Sequence, residues 1–177
     1  MKRFYLVAAL LSVGLISCEF LPAQQVPDRL VTGYAPLDKK LASLVTADAN
    51  AISAQEAQQL SGAQYLDARE PDEYLVSHLP AARYIGYKSP DWSVLDGMDK
   101  NAPVVVYCTV GYRSERMADD LRERGFTDVR NLYGSIYAWR LAGGELLNAA
   151  GEPTDSLHTY DRKWGKLLPD GAAVKTY

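Results

Sequence analysis

Cys108 is the residue of this 177-residue chain best placed to do chemistry. It follows Pro103-Val104-Val105-Val106-Tyr107, a short apolar, β-branched run that reads as a buried strand. Thr109, Val110, Gly111, Tyr112, Arg113 and Ser114 come next, and then a helical pattern with Ser114, Met117, Ala118 and Leu121 on one face. Gly125 is its expected stop. The thiol is therefore predicted at a strand end, in a tight loop, under a helix N-terminus. Unpaired N–H groups and the positive end of the helix dipole favour an anion there. A thiol in that field loses its proton more readily, and the thiolate is the nucleophile. Gly111 lets the loop curl so that N–H groups point inward. Arg113 adds a permanent charge and can bind an oxyanion. A buried cysteine with only a packing role is the competing reading. The joint occurrence of strand, Cys, Gly, Arg and helix in this order favours the nucleophile.

Other candidates are weaker. Asp67 and Arg69 fall at the end of an earlier strand; a hydrogen-bonded pair holding loops together is the favoured reading over substrate contact, and Arg69 is the better candidate of the two to face the site. His78 and His158 read as structural residues. Two isolated histidines and a thiol make no metal site. Trp92, Trp139 and Trp164 read as packing residues.

The elements that must position Cys108 can be read in outline. Ser53-Ala54-Gln55-Glu56 is a capping box that opens a helix to about Leu60. Strands are predicted at Tyr65-Leu66-Asp67, Arg83-Tyr84-Ile85, 103–107 and 129–132. Further helices are predicted over 37–45, after Pro71, and over 135–141. Strands alternating with helices give an α/β fold with a mostly parallel sheet. Ligands bind at the carboxyl ends of strands in such sheets, where Cys108 falls.

The loop Cys-x-x-Gly-x-Arg-Ser resembles the active-site loop of the rhodanese family, sulfurtransferases that carry a persulfide on cysteine. Leu66-Asp67-Ala68-Arg69-Glu70 resembles that family's Asp-x-Arg-Glu segment, and Ser77-His78-Leu79-Pro80-Ala81-Ala82 its Gly-His-Ile-Pro-Gly-Ala segment. Leu132-Tyr133-Gly134-Ser135 with Trp139 resembles its closing Leu-x-Gly-Gly and Trp pattern. Ser77, Ala81 and Ser135 stand where the family has glycine, and these departures are expected to affect local turns and not the cysteine loop. The resemblance covers about residues 50–148. It implies a rhodanese-like single domain, a sheet flanked by helices on both faces, and a Cys108 persulfide. The implied partners are a small anionic sulfur donor such as thiosulfate and an external thiol, protein or cyanide acceptor. No cofactor is implied. A phosphatase or arsenate-reductase-like enzyme is the alternative. Its loops place five residues between Cys and Arg, whereas four separate Cys108 from Arg113 here. A non-catalytic binding module is the third reading.

The N-terminus reads as a targeting segment. Lys2 and Arg3 precede an apolar run, Phe4 to Ile16, too short for a membrane span. Leu15-Ile16-Ser17-Cys18 resembles the lipobox of bacterial lipoproteins, which implies a 1–17 signal peptide, lipid on Cys18 and a domain held at the cell envelope. Cys108 would then be the lone free thiol in an oxidising compartment. Without Lys2 and Arg3 the chain has 17 basic against 22 acidic residues, which excludes the basic stripe of a nucleic-acid binder. Residues 18–49 read as a tether and short helix, with 19–36 spanning at most ~60 Å if extended. Residues 149–177 are too apolar for a free tail and are expected to pack on the domain.

Overall fold

The computed structural model describes residues 25–177. The expected signal peptide and Cys18 lie outside the described residues. In chain order the helices are α1 (Ala35–Leu41), α2 (Ala54–Gln59), α3 (Pro71–Val76), α4 (Tyr112–Glu123), α5 (Ser135–Leu141) and α6 (Arg162–Gly165). The strands are β1 (Ala51–Ile52), β2 (Gln64–Asp67), β3 (Arg83–Tyr84), β4 (Val104–Tyr107), β5 (Val129–Leu132), β6 (Ser156–His158) and β7 (Val174–Thr176). Five of these form a parallel sheet in the order β1-β5-β4-β2-β3, and β6 and β7 pair in parallel as a separate ribbon.

β4 is the central strand, and all four of its residues are fully buried. Its side chains alternate between two apolar layers, as a pleat requires. Val105 and Tyr107 face the layer built with α1, α2 and α5. Val104 and Val106 face Met117, Ala118 and Leu121 of α4. Helices therefore cover both faces of the sheet. The chain leaves β2 toward one edge of the sheet and β4 toward the other. That divergence makes a crevice between the ends of β2 and β4, and Cys108 follows directly on β4.

Ser53 caps α2 as its sequence predicts. Its hydroxyl accepts from the Glu56 N–H at 3.2 Å, and Glu56 accepts from the Ser53 N–H at 2.9 Å. Strand β1 escapes the sequence reading because two residues carry no periodicity.

The tether reading of 19–36 fails over its described second half. Leu30 sits in a 3-10 turn and is buried in the same layer as Leu37, Leu41 and Val45. Pro36 lies in the first turn of α1, where proline is compatible with a helix, and does not mark a linker. Asp38 ties the turn down by accepting from the Thr32 N–H and hydroxyl at 2.8 and 2.7 Å. At the other end, Leu157 and Leu168 join this layer too, so residues 149–177 are part of the packed body.

Candidate active site

Cys108 is held at both backbone groups by the start of α5. Its N–H donates to the Ser135 hydroxyl at 3.0 Å, and its carbonyl accepts from the Ile136 N–H at 3.3 Å. The loop then turns back on the sulfur. The Gly111 N–H donates to Cys108 Sγ at 3.1 Å. Gly111 is the N-cap of α4, with φ +118°. The backbone there favours glycine, and a Cβ would in addition press on Val45 Cγ2 at 3.1 Å. The Gly111 carbonyl, turned away from the sulfur, accepts from Asn131 Nδ2 at 3.1 Å.

Arg113 stands beside the thiol with its fork engaged. Its two terminal nitrogens donate to Glu73 Oε2 and Oε1 at 2.6 and 2.7 Å, and Nη2 also donates to the Thr109 hydroxyl at 2.7 Å. Thr109 in turn donates to Glu73 Oε1 at 2.7 Å. The Glu73 side chain is 2% exposed and that of Arg113 14%. Burial alone would push the Glu73 carboxyl up. The bonds and charge of Arg113, with those from Glu70 and Thr109, overturn this and hold it below the ordinary value.

The Cys108 thiol follows the same logic. Burial raises it, but the Arg113 charge and hydrogen bonding from Ser114 and Gly111 bring it below the ordinary thiol value. The Ser114 hydroxyl has one proton and lies 2.7 Å from Asn131 Oδ1, so its N–H is the better partner for the sulfur. The thiol is thus more acidic than an ordinary one, at the positive end of a twelve-residue helix.

Cys108 itself is 1% exposed and lies on the floor of a cavity of about 520 Å³. Thr109 and Arg113 share the floor, while Leu44, Tyr160 and Trp164 form part of the wall. Among the described residues no group of three or more His, Cys, Asp and Glu side chains could hold a metal ion, and no helix is long and apolar enough to cross a membrane.

The family model described as the rhodanese-like domain matches residues 51–142. The chain belongs to the rhodanese-like domain family. A thiosulfate sulfurtransferase GlpE of Pseudomonas paraeruginosa is 36% identical over 94 residues, which cover 50% of this chain and 82% of that relative. A chloroplastic thiosulfate sulfurtransferase 16 of Arabidopsis thaliana is 32% identical over 95 residues, covering 48% of this chain and 79% of that one. The curated relatives thus support placing the chain in the sulfurtransferase family. The rhodanese-like domain of the Anabaena Alr3790 protein has the same fold, with a TM-score of 0.52 at 20% identity over 57% of this chain and 80% of that one.

Within this rhodanese-like frame the predicted residues separate. Cys108, Thr109, Val110, Tyr112 and Arg113 all border the cavity, while Gly111 and Ser114 support the loop from behind. Asp67 and Arg69 do not border it. Both are fully buried and bound to each other, with Arg69 Nε 2.9 Å from Asp67 Oδ1 and Nη2 2.6 Å from Oδ2. Arg69 also donates to the Ser77 carbonyl at 2.5 Å, so it faces the core and not the site. His78 stacks on Tyr74, and His158 accepts from the Tyr160 N–H at 3.1 Å.

One expectation changes and another is extended. Ser135 does touch the cysteine loop, through the Cys108 N–H, although its place in a family turn suggested no such contact. Trp164 packs against the core as expected and also lines the cavity. Glu73 escaped notice as well. Its only sequence signal was a carboxylate in the first turn after Pro71, which any exposed helix start can carry.

Proposed function

We propose that the protein is a sulfurtransferase that carries sulfane sulfur on Cys108. What carries this reading is the Gly111 N–H directed at Cys108 Sγ from a helix N-terminus, with the thiol open to a cavity. In the first half-reaction the Cys108 thiolate attacks the outer sulfur of thiosulfate. A new S–S bond forms, the S–S bond of thiosulfate breaks, and sulfite leaves with its electron pair. Cys108 now bears a persulfide whose anionic outer sulfur meets the same N–H groups and the Arg113 field. In the second half-reaction cyanide or a thiolate attacks that outer sulfur, and Cys108 leaves as the thiolate. Two such steps give ping-pong kinetics.

The Arg113 fork is occupied by Glu73, so in this reading Arg113 acts on the sulfur through its charge and holds the loop. Gripping the donor is left to the loop N–H groups.

The test is intact mass. Full-length protein incubated with thiosulfate and freed of excess should carry one added sulfur atom, cyanide should remove it, and Cys108→Ser should never gain it. A wild-type protein that takes up no sulfur but hydrolyses a phosphate ester through Cys108 would replace this reading with the phosphatase one. Lipidation of Cys18 belongs to the same proposal, and the mass of membrane-extracted protein tests it by showing cleavage after Ser17 plus acyl chains, or their absence.

A further inference from the structure

The cavity above Cys108 is larger and more apolar than thiosulfate needs. A volume of about 520 Å³ lies in the range of ~300–1,000 Å³ that small organic ligands fill. Thiosulfate is a compact anion of a few atoms, and it can be held by the N–H groups at the floor alone. The wall offers it little. Leu44, Tyr160 and Trp164 present aliphatic and aromatic surface, and the nearby cation, Lys88, is 76% exposed and 3.8 Å from Glu70.

The origin of these wall residues is informative. Leu44 precedes the matched family segment 51–142, and Tyr160 and Trp164 follow it. This apolar part of the wall therefore comes from outside the matched segment, while Glu70, Tyr87, Lys88 and Tyr112 of the wall lie within it. Tyr160 is also held at φ +68°, a left-handed backbone that is strained for a non-glycine residue. Its N–H bond to His158 keeps it there. The ring lies at the cavity with the Arg113 guanidinium 5.6 Å from its centroid. Trp164 lies in the first turn of α6, where its backbone N–H donates to the Asp161 carboxylate at 2.8 Å and caps the helix.

From the volume, the apolar wall and the strained Tyr160, we infer that the sulfur acceptor is a small organic thiol with an apolar or aromatic body, seated between Leu44, Tyr160 and Trp164. This rests on the sulfurtransferase reading above. The acceptor thiolate attacks the outer sulfur of the Cys108 persulfide. A sulfur–sulfur bond forms to the acceptor, the persulfide bond breaks, and Cys108 departs as thiolate. The product is the acceptor's own hydropersulfide, and no outside oxidant or reductant is consumed.

The experiment loads full-length protein with thiosulfate, verifies the added sulfur by mass, and removes excess donor. Loss of that sulfur is then timed with benzyl mercaptan and with 2-mercaptoethanol at equal thiolate concentration. Burial of the aromatic ring supports a preference of about tenfold for benzyl mercaptan in the wild type. Trp164→Ala and Tyr160→Ala should each bring the ratio toward one. The wild-type ratio needs no variant, so a poorly folding substitution does not spoil the test. Loaded protein that discharges to both thiols equally overturns this inference and leaves the sulfurtransferase reading intact. A preference that survives both substitutions overturns the assignment of the wall. Protein that never loads removes the parent reading, and this one with it.

Discussion

Ser135 carries two opposed effects on one side chain. Its backbone is left-handed at φ +49°, which costs a non-glycine residue roughly 1–2 kcal/mol. Its hydroxyl accepts the buried Cys108 N–H, and leaving that donor without a partner costs about 1–3 kcal/mol. Ser135→Gly removes both effects, whereas Ser135→Ala keeps the strain and loses the acceptor. Alanine should therefore destabilise by about 1 kcal/mol more than glycine in denaturant unfolding, and equal losses would show that the backbone is relaxed. The thiol offers a second test at this scale. Alkylation of Cys108 by iodoacetamide should follow the thiolate, with a midpoint below the ordinary value of about 8.5. Arg113→Gln should raise that midpoint, because it removes the neighbouring charge that favours the thiolate. Because folding depresses this thiol, its contribution to stability is present above about pH 8.5 and is lost as pH falls through the folded value. A midpoint that does not move in Arg113→Gln would mean that the helix end and Gly111 suffice. The chemistry was legible from residues 103–125 because the nucleophile, its glycine and its helix are contiguous. Glu73, Ser135 and Trp164 were not, since each reaches the site only after the chain has crossed the sheet.

The β4-to-α4 turn holds the most exacting geometry of the fold. Gly111 must be left-handed, must approach Val45 and must aim its N–H at the sulfur, all at once. Gly111→Ala should cost at least about 1–3 kcal/mol from backbone strain and should abolish measurable sulfur uptake. Adding Val45→Ala opens the space but leaves φ unchanged, so it should restore little. Full recovery in the double variant would show that the contact, and not the backbone, makes glycine necessary. Elements whose signal is local were legible: the α2 capping box and the β4 run appear in the structure where the sequence puts them. The C-terminal ribbon was not. Its strands, β6 and β7, are three residues each and pair across an intervening helix, so neither has a pattern that identifies it alone.

At the scale of the whole molecule, the described segments outside 51–142, residues 25–50 and 143–177, are structural. Leu41 and Leu157 are fully buried in the layer that also contains Tyr107 and α5. Leu41→Ala and Leu157→Ala should each cost about 2–5 kcal/mol, as in any tightly packed core. Losses below about 1 kcal/mol, read from chemical unfolding, would mean that these segments are draped over an independent domain. The sequence reading placed residues 149–177 against the body because they are too apolar to be free, but it treated the three N-terminal prolines as one linker.

The burial of Leu30 shortens the leash on which this domain would hang. If Cys18 carries lipid, the chain between Cys18 and Pro27 spans at most about 30 Å, half of what an unpacked segment to Pro36 would allow. Energy transfer from the tryptophans to a fluorescent lipid headgroup would read that stand-off, and weak transfer in reconstituted protein would refute it. A body held so close cannot survey the bulk compartment. So tethered, it would meet its substrates in the water layer next to the bilayer, where lipid-soluble molecules come and go.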